Sequence, residues 1–65
     1  MNDDRFYIYL RKDMKTAATV KLDFKSAPFE QTGIIKDVNF NTFVILVNNI
    51  PFERSLADLL YYRLA

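Results

Sequence analysis

Residues 40–49 read FNTFVILVNN. Phe43, Val44, Ile45 and Leu46 form an unbroken apolar run with Asn41-Thr42 in front and Asn48-Asn49 behind. β-branched and aromatic residues bounded by turn formers read as a strand, here 42–48, apolar enough to be covered on both faces. Asn39-Phe40-Asn41 reads as the turn before it and Asn48-Asn49 as the turn after it. The open question is Phe43: first core residue of the strand, or an aromatic edge at its mouth.

The flanking segments extend the β pattern. TVKLDFK (19–25) alternates Val20, Leu22 and Phe24 with Lys21, Asp23 and Lys25, a half-buried strand that Ala27-Pro28 ends. A second strand spans about 31–38, with Gly33 near its start and Ile34-Ile35 inside it. Gly33 suits a sharp bend where a side chain would clash. Pro51 opens a short segment, PFER. Both termini are ambiguous. In 3–14, Phe6, Leu10 and Met14 share a helical face, with Asp3 or Asp4 as cap and Arg11, Lys12 and Lys15 near the end. The same residues alternate Phe6/Ile8/Leu10 against Tyr7/Tyr9/Arg11, as a strand would. At the other end, Ser55 and Asp58 resemble a capping box before Leu56, Leu59, Leu60 and Leu64. LLYYRL (59–64) also reads as a final strand after one helical turn.

Sixty-five residues make one small domain, and 51% of them are hydrophobic. A domain near this size buries only about 60% of the surface its unfolded chain exposes. No Cys and no His are present, so disulfides and nearly all zinc chemistry are excluded as supports. Self-association is the support that remains. Net charge is +1, too balanced for coating duplex DNA through bulk charge. No apolar run approaches a membrane span, and MNDDRFYIY carries acid where a leader would carry base. A cytoplasmic protein without a membrane partner is the expectation. An enzyme is not: Ser26 and Ser55 lack a base, and one Gly cannot build a phosphate loop. Neither a cofactor, a metal nor a small-molecule substrate is expected.

The order of features resembles the bacterial Hfq branch of the Sm-like family. It runs from an acidic start and Phe6 through Leu10-Arg11-Lys12 and the Val20 strand. Gly33-Ile34-Ile35 follows, then Phe43-Val44-Ile45-Leu46 and Asn48-Asn49. The likeness spans about residues 4–62 and is strongest in GIIKDV and FVILVNN. It implies a single mainly β domain over 1–65: an N-terminal helix (3–14), then a strongly bent five-stranded antiparallel Sm-like (SH3-like) barrel. The strands would be 19–25, 31–38, 42–48, 52–55 and 59–64. It also implies a ring, commonly a hexamer, that binds single-stranded U-rich or A-rich RNA and promotes RNA–RNA pairing. Three features depart from the family: Ser26-Ala27-Pro28-Phe29 replaces an Asn-Gly turn, the turn between the second and third strands is longer, and Phe52-Glu53-Arg54 replaces a Tyr-Lys-His element. FERSLADLL also resembles a stretch of the Veg family, which implies a small barrel serving protein interaction or regulation without RNA.

By resemblance, Phe43 is a base-stacking aromatic at the inner rim, with Asn41 and Thr42 offering hydrogen bonds to base edges or 2′-OH groups. Arg54 supplies the cation there in place of the missing Lys-His pair. Arg11 and Lys12, with Lys15 near them, form a basic outer rim for phosphates. Each has a plainer reading. Phe43 also fits a core position, Arg11-Lys12 a solvated helix end, and Arg54 with Glu53 a contact between subunits. Tyr7, Tyr9, Tyr61 and Tyr62 fit the boundaries of a core or an interface.

Overall fold

The computed structural model describes residues 4–26 and 29–65. The Ala27-Pro28 break lies outside the described residues, as do residue 3 and the side chain of Asp4, which were expected to cap the first helix. Helix α1 (Asp4–Thr16) precedes strands β1 (Thr19–Phe24), β2 (Gln31–Val38), β3 (Thr42–Val47), β4 (Ile50–Ser55) and β5 (Leu59–Leu64). A short 3-10 turn, η1 (Leu56–Asp58), joins β4 to β5.

The first ambiguity resolves as helix because only that spacing buries a consistent face. Leu10 is fully covered, with Phe6, Tyr7 and Met14 packed around the core, whereas Ile8 is exposed. A strand would have turned Ile8 inward together with Phe6. The helix continues through Thr16, beyond the expected end, with the Thr16 hydroxyl 3.4 Å from the carbonyl oxygens of Lys12 and Asp13. Ala17 then takes a left-handed φ of 53° and the chain turns into β1. The second ambiguity resolves as one helical turn and then a strand. Ser55 caps η1 by accepting the Ala57 N–H, and Leu59 closes it in extended backbone. Asp58 serves elsewhere, accepting from the backbone N–H and hydroxyl of Ser26, two residues past the end of β1.

The five strands form one antiparallel sheet in the order β4-β3-β2-β1-β5. β2 divides its pairing: Gln31–Ile34 bond to β1, and Ile34–Val38 bond to β3. The handover falls at Ile34, next to Gly33, where an added Cβ would lie 2.1 Å from the Leu46 carbonyl oxygen. Glycine is required there by the close approach of β3, not by its φ. The sheet folds around Val20, Leu22, Phe24, Ile35, Phe43 and Ile45, with α1, Leu56 and Leu59 covering what remains. It is nevertheless open, since β4 and β5 end the order and do not pair with one another. β4 begins at Ile50, earlier than expected, because the Asn48-Asn49 turn is a two-residue one. Both residues take left-handed φ (53° and 65°), which matches the twist of the hairpin strands.

One polar contact ties α1 to the sheet. Asp13, 5% exposed, accepts a short hydrogen bond from the Tyr62 phenol, and the Tyr62 ring stacks on Tyr9 at 5.3 Å between centroids. Burial pushes Tyr62 well above the ordinary tyrosine pKa, and the hydrogen bond and charge of Asp13 add to the rise, with a smaller push from Tyr9. Folding therefore favours the protonated phenol. The stability this contributes is complete below the unfolded value near 10 and is lost as pH rises above it.

Two expectations follow. Gly33→Ala should cost about 1–3 kcal/mol, since the β3 backbone must move to admit a methyl group, measured by urea unfolding. Tyr62→Phe should cost about 1.5–3 kcal/mol at neutral pH by leaving Asp13 without its donor. The variant should also lose less stability than wild type between pH 9 and 11; parallel pH–stability curves would show that the Tyr62 phenol is not responsible.

Candidate nucleic-acid interface

The sequence-named residues separate into two clusters. The first is on the exposed side of α1. Positions 7, 8, 11, 12 and 15 fall on neighbouring turns of the helix, which brings three cations to one surface. Tyr7, Ile8, Arg11, Lys12 and Lys15 line a shallow groove of about 400 Å3 there. Arg11 donates to the Tyr7 hydroxyl at 2.9 Å, and its guanidinium lies 5.7 Å from the Tyr7 ring centre. Phe40 stacks on the same ring at 4.8 Å while remaining 75% exposed. Phe40 thus holds one face against Tyr7 and offers the other to solvent, next to the basic groove.

The turn that carries Phe40 is fixed by Asn39. Its Oδ1 accepts the backbone N–H of Asn41 at 2.9 Å and of Thr42 at 2.7 Å. Its own N–H donates to the Thr42 carbonyl, and its side-chain amide donates to the Thr42 hydroxyl. Asn41 is exposed, and its carbonyl accepts the Leu56 N–H. Asn41 and Thr42 therefore follow Phe40 on a rigid turn, with the Thr42 hydroxyl already engaged.

Phe43 and Arg54 belong to the second cluster. Phe43 is 1% exposed and packs against Phe24, centroids 6.1 Å apart. In this conformation no face of the ring is open to a base, so the plainer expectation, first core residue of its strand, describes its position. Arg54 stands opposite Phe43 in the β3–β4 register. Its guanidinium lies over Phe24 and Phe52, at 5.4 and 5.6 Å, and its Nε donates to Gln31 Oε1 at 3.1 Å. This contact joins β4 to the start of β2 across the mouth of the bent sheet. Arg54 is half-buried, placed by aromatic rings and an amide, with no ion pair to Glu53 among the described contacts.

Phe40 is the residue that sequence reasoning missed as a site. It stood in the turn motif, and nothing local marks a turn aromatic as the partner of a helix residue 33 positions earlier. The available signal was a large aromatic adjoining Asn41 in a turn segment that otherwise needs only small polar residues.

What the fold and these clusters define is a small, mainly β protein with one basic, aromatic surface beside its N-terminal helix. No helix among the described residues is long and apolar enough to cross a membrane. No protein-family model matches the chain, and no curated protein matches it.

Phe43→Ala should therefore act on stability first, costing about 3–5 kcal/mol as expected for a truncated core aromatic. Phe40→Ala should leave the melting temperature within a few degrees of wild type. Thermal unfolding of the two variants checks the assignment, and an unchanged midpoint for Phe43→Ala would overturn it.

Proposed function

We propose that this chain is a ring-forming, Sm-like small-barrel protein of the Hfq type that binds single-stranded RNA in the cytoplasm and promotes RNA–RNA pairing. The observation that carries this reading is the exposed surface formed by Arg11, Lys12, Lys15, Tyr7 and Phe40. Lysine and arginine beside an open aromatic face suit a single strand: cations hold phosphates, and the free face of Phe40 accepts a base whatever its identity. Arg11 is steadied by Tyr7, so its fork is partly ordered before a phosphate arrives.

Ring formation draws support from the two open strands. β4 exposes Ile50 and Phe52, and β5 exposes Leu60, Tyr61 and Leu64. Apolar side chains along an unpaired edge are a liability that pairing with another copy removes. Copies joined β4 to β5 add head to tail, and such contacts close into a ring when the rotation allows. A ring repeats the basic surface around an axis, raises the local field, and holds two RNA strands at high effective concentration. Asn41 lies beside Phe40 and extends the contact toward the turn. Arg54 contributes only through the nitrogens left outside its bond to Gln31.

The second reading is a protein-interaction module of the same shape that does not bind RNA. The burial of Phe43 and the internal engagement of Arg54 favour it, because both leave the inner-rim set incomplete.

Light scattering at micromolar concentration should give a particle several times the 7.7 kDa chain mass; a stable monomer would remove the ring. Short U-rich RNA should bind with an affinity that falls as salt rises. Arg11→Glu with Lys12→Glu should weaken it at least tenfold, and Phe40→Ala by about 1–3 kcal/mol, the worth of one stacked base. Equal binding by all variants, or none by wild type, would select the interaction module.

A further inference from the structure

The mouth of the bent sheet carries hydrogen-bond donors that the fold leaves unused. Gln31 is 7% exposed and stands opposite Leu22 in the β1–β2 register, on the core face of the sheet. Its Oε1 accepts from Arg54 Nε at 3.1 Å, which turns the amide oxygen toward Arg54. The amide nitrogen, Nε2, meets no acceptor among the described residues, and it is not sealed from solvent. An amide more than nine-tenths buried with two idle N–H groups is uncommon, because buried polar atoms are normally paired.

Arg54 adds to the same place. Its Nε is engaged by Gln31, and its two Nη groups meet no acceptor among the described residues. The rings of Phe24 and Phe52 hold its guanidinium, at 5.4 and 5.6 Å. Glu53 does not neutralise it. Glu53 stands opposite Val44 and Arg54 opposite Phe43, so the two neighbours project to opposite faces of β4. The result is a fork of Nη groups beside an amide Nε2, with the ring of Phe52, 36% exposed, next to them. Every open group in the cluster donates, since Oε1 is engaged and a guanidinium has no acceptor.

A ligand matched to this cluster offers acceptors side by side and brings no donor that would go unpaired there. Guanine does so, setting O6 and N7 together on one edge, the pair that an arginine fork reads with two hydrogen bonds. Adenine places an amino group beside N7, and cytosine carries one beside its ring acceptor. In uracil the N3–H separates the two carbonyl oxygens. A phosphate also offers only acceptors, but it gains nothing from the Phe52 ring, whereas a base can lay its π-face against it. We propose that Arg54 and Gln31 form a guanine-selecting subsite, in which the Arg54 Nη groups donate to O6 and N7 and Gln31 Nε2 adds a donor to O6. The subsite rests on the RNA-binding reading. It gives that reading a base preference that the sequence-tolerant groove beside Phe40 lacks, and one that differs from the U-rich or A-rich strands the resemblance implies.

The test measures fluorescence anisotropy of a short labelled U-run RNA on the full chain, with its central base replaced in turn by guanine, inosine's hypoxanthine, 7-deazaguanine, adenine or cytosine. One guanine should tighten binding about fivefold or more over the U-run. Hypoxanthine keeps O6 and N7 and should match guanine within about twofold, whereas 7-deazaguanine lacks N7 and should fall back toward the U-run. Arg54→Lys keeps the charge without the fork and should abolish the preference. Gln31→Glu turns the donor into an acceptor facing O6 and should reduce it. Circular dichroism checks that both variants fold, and the base series carries the test without them. Failure of the wild type to bind any of these RNAs would overturn the RNA reading and this subsite with it. Binding of the U-run with no gain from guanine would assign the fork to a phosphate and overturn the subsite alone. So would an equal gain from adenine, cytosine or 7-deazaguanine, or an undiminished preference in folded Arg54→Lys or Gln31→Glu.

Discussion

The structure depends on the contact between Gly33 and the β3 backbone. A Cβ at residue 33 would sit 2.1 Å from the Leu46 carbonyl oxygen, well inside the separation two non-bonded heavy atoms tolerate. That closeness lets β2 leave β1 and take up β3 within one residue, at Ile34, so that one strand serves two halves of a bent sheet. The bend brings Phe24 on β1 against Phe43 on β3 and lets Arg54 on β4 reach Gln31 at the start of β2. Without it a chain this short would present a flat sheet with one wet face and too little core.

The helix completes what the bend begins. Leu10 enters the core from α1, and the Asp13–Tyr62 bond fixes the helix against β5. That bond is costly to make, since a buried carboxyl group and phenol give up water for each other. It is also directional, which apolar packing is not. It orients the helix so that positions 8, 11, 12 and 15 face outward while half-buried Tyr7 meets Phe40. The proposed RNA surface is therefore the reverse side of a structural contact on the same helix.

Much of the fold was legible because alternation and apolar runs report burial directly. Val20, Leu22 and Phe24 are all core, as their spacing with Lys21 and Asp23 required, and the Asn48-Asn49 turn falls where it was expected. The termini were not legible from pattern alone. Phe6–Met14 satisfies two periods at once, and only tertiary cover on Leu10, with Ile8 left exposed, separates them. The candidate site was less legible for a related reason. Phe43 begins an apolar run, and sequence cannot tell an edge aromatic from a core one; the Phe24 ring decides it. Arg54 was read beside Glu53, its chain neighbour, whereas the bend gives it Gln31 and two aromatic rings from other strands. Arg11 and Lys12 were readable together because helical spacing is local, while the Tyr7–Phe40 stack is not.

Charge and shape divide the work between the two proposed surfaces. A single copy offers Arg11, Lys12 and Lys15 at the groove, and so few screened charges give weak attraction at physiological salt. Affinity for a strand must then come from repetition, since copies around an axis add their cations along one path without new contacts in any one copy. Repetition in turn needs a junction that forms in one register, because a slipped register would point successive basic faces in different directions. A free edge made of uniform donors and acceptors would permit such slippage. Pro51 removes one donor from that edge, and the cost is small because the lost N–H faces away from β3. On this reading the edges by which copies join are as important to RNA binding as the residues that touch RNA.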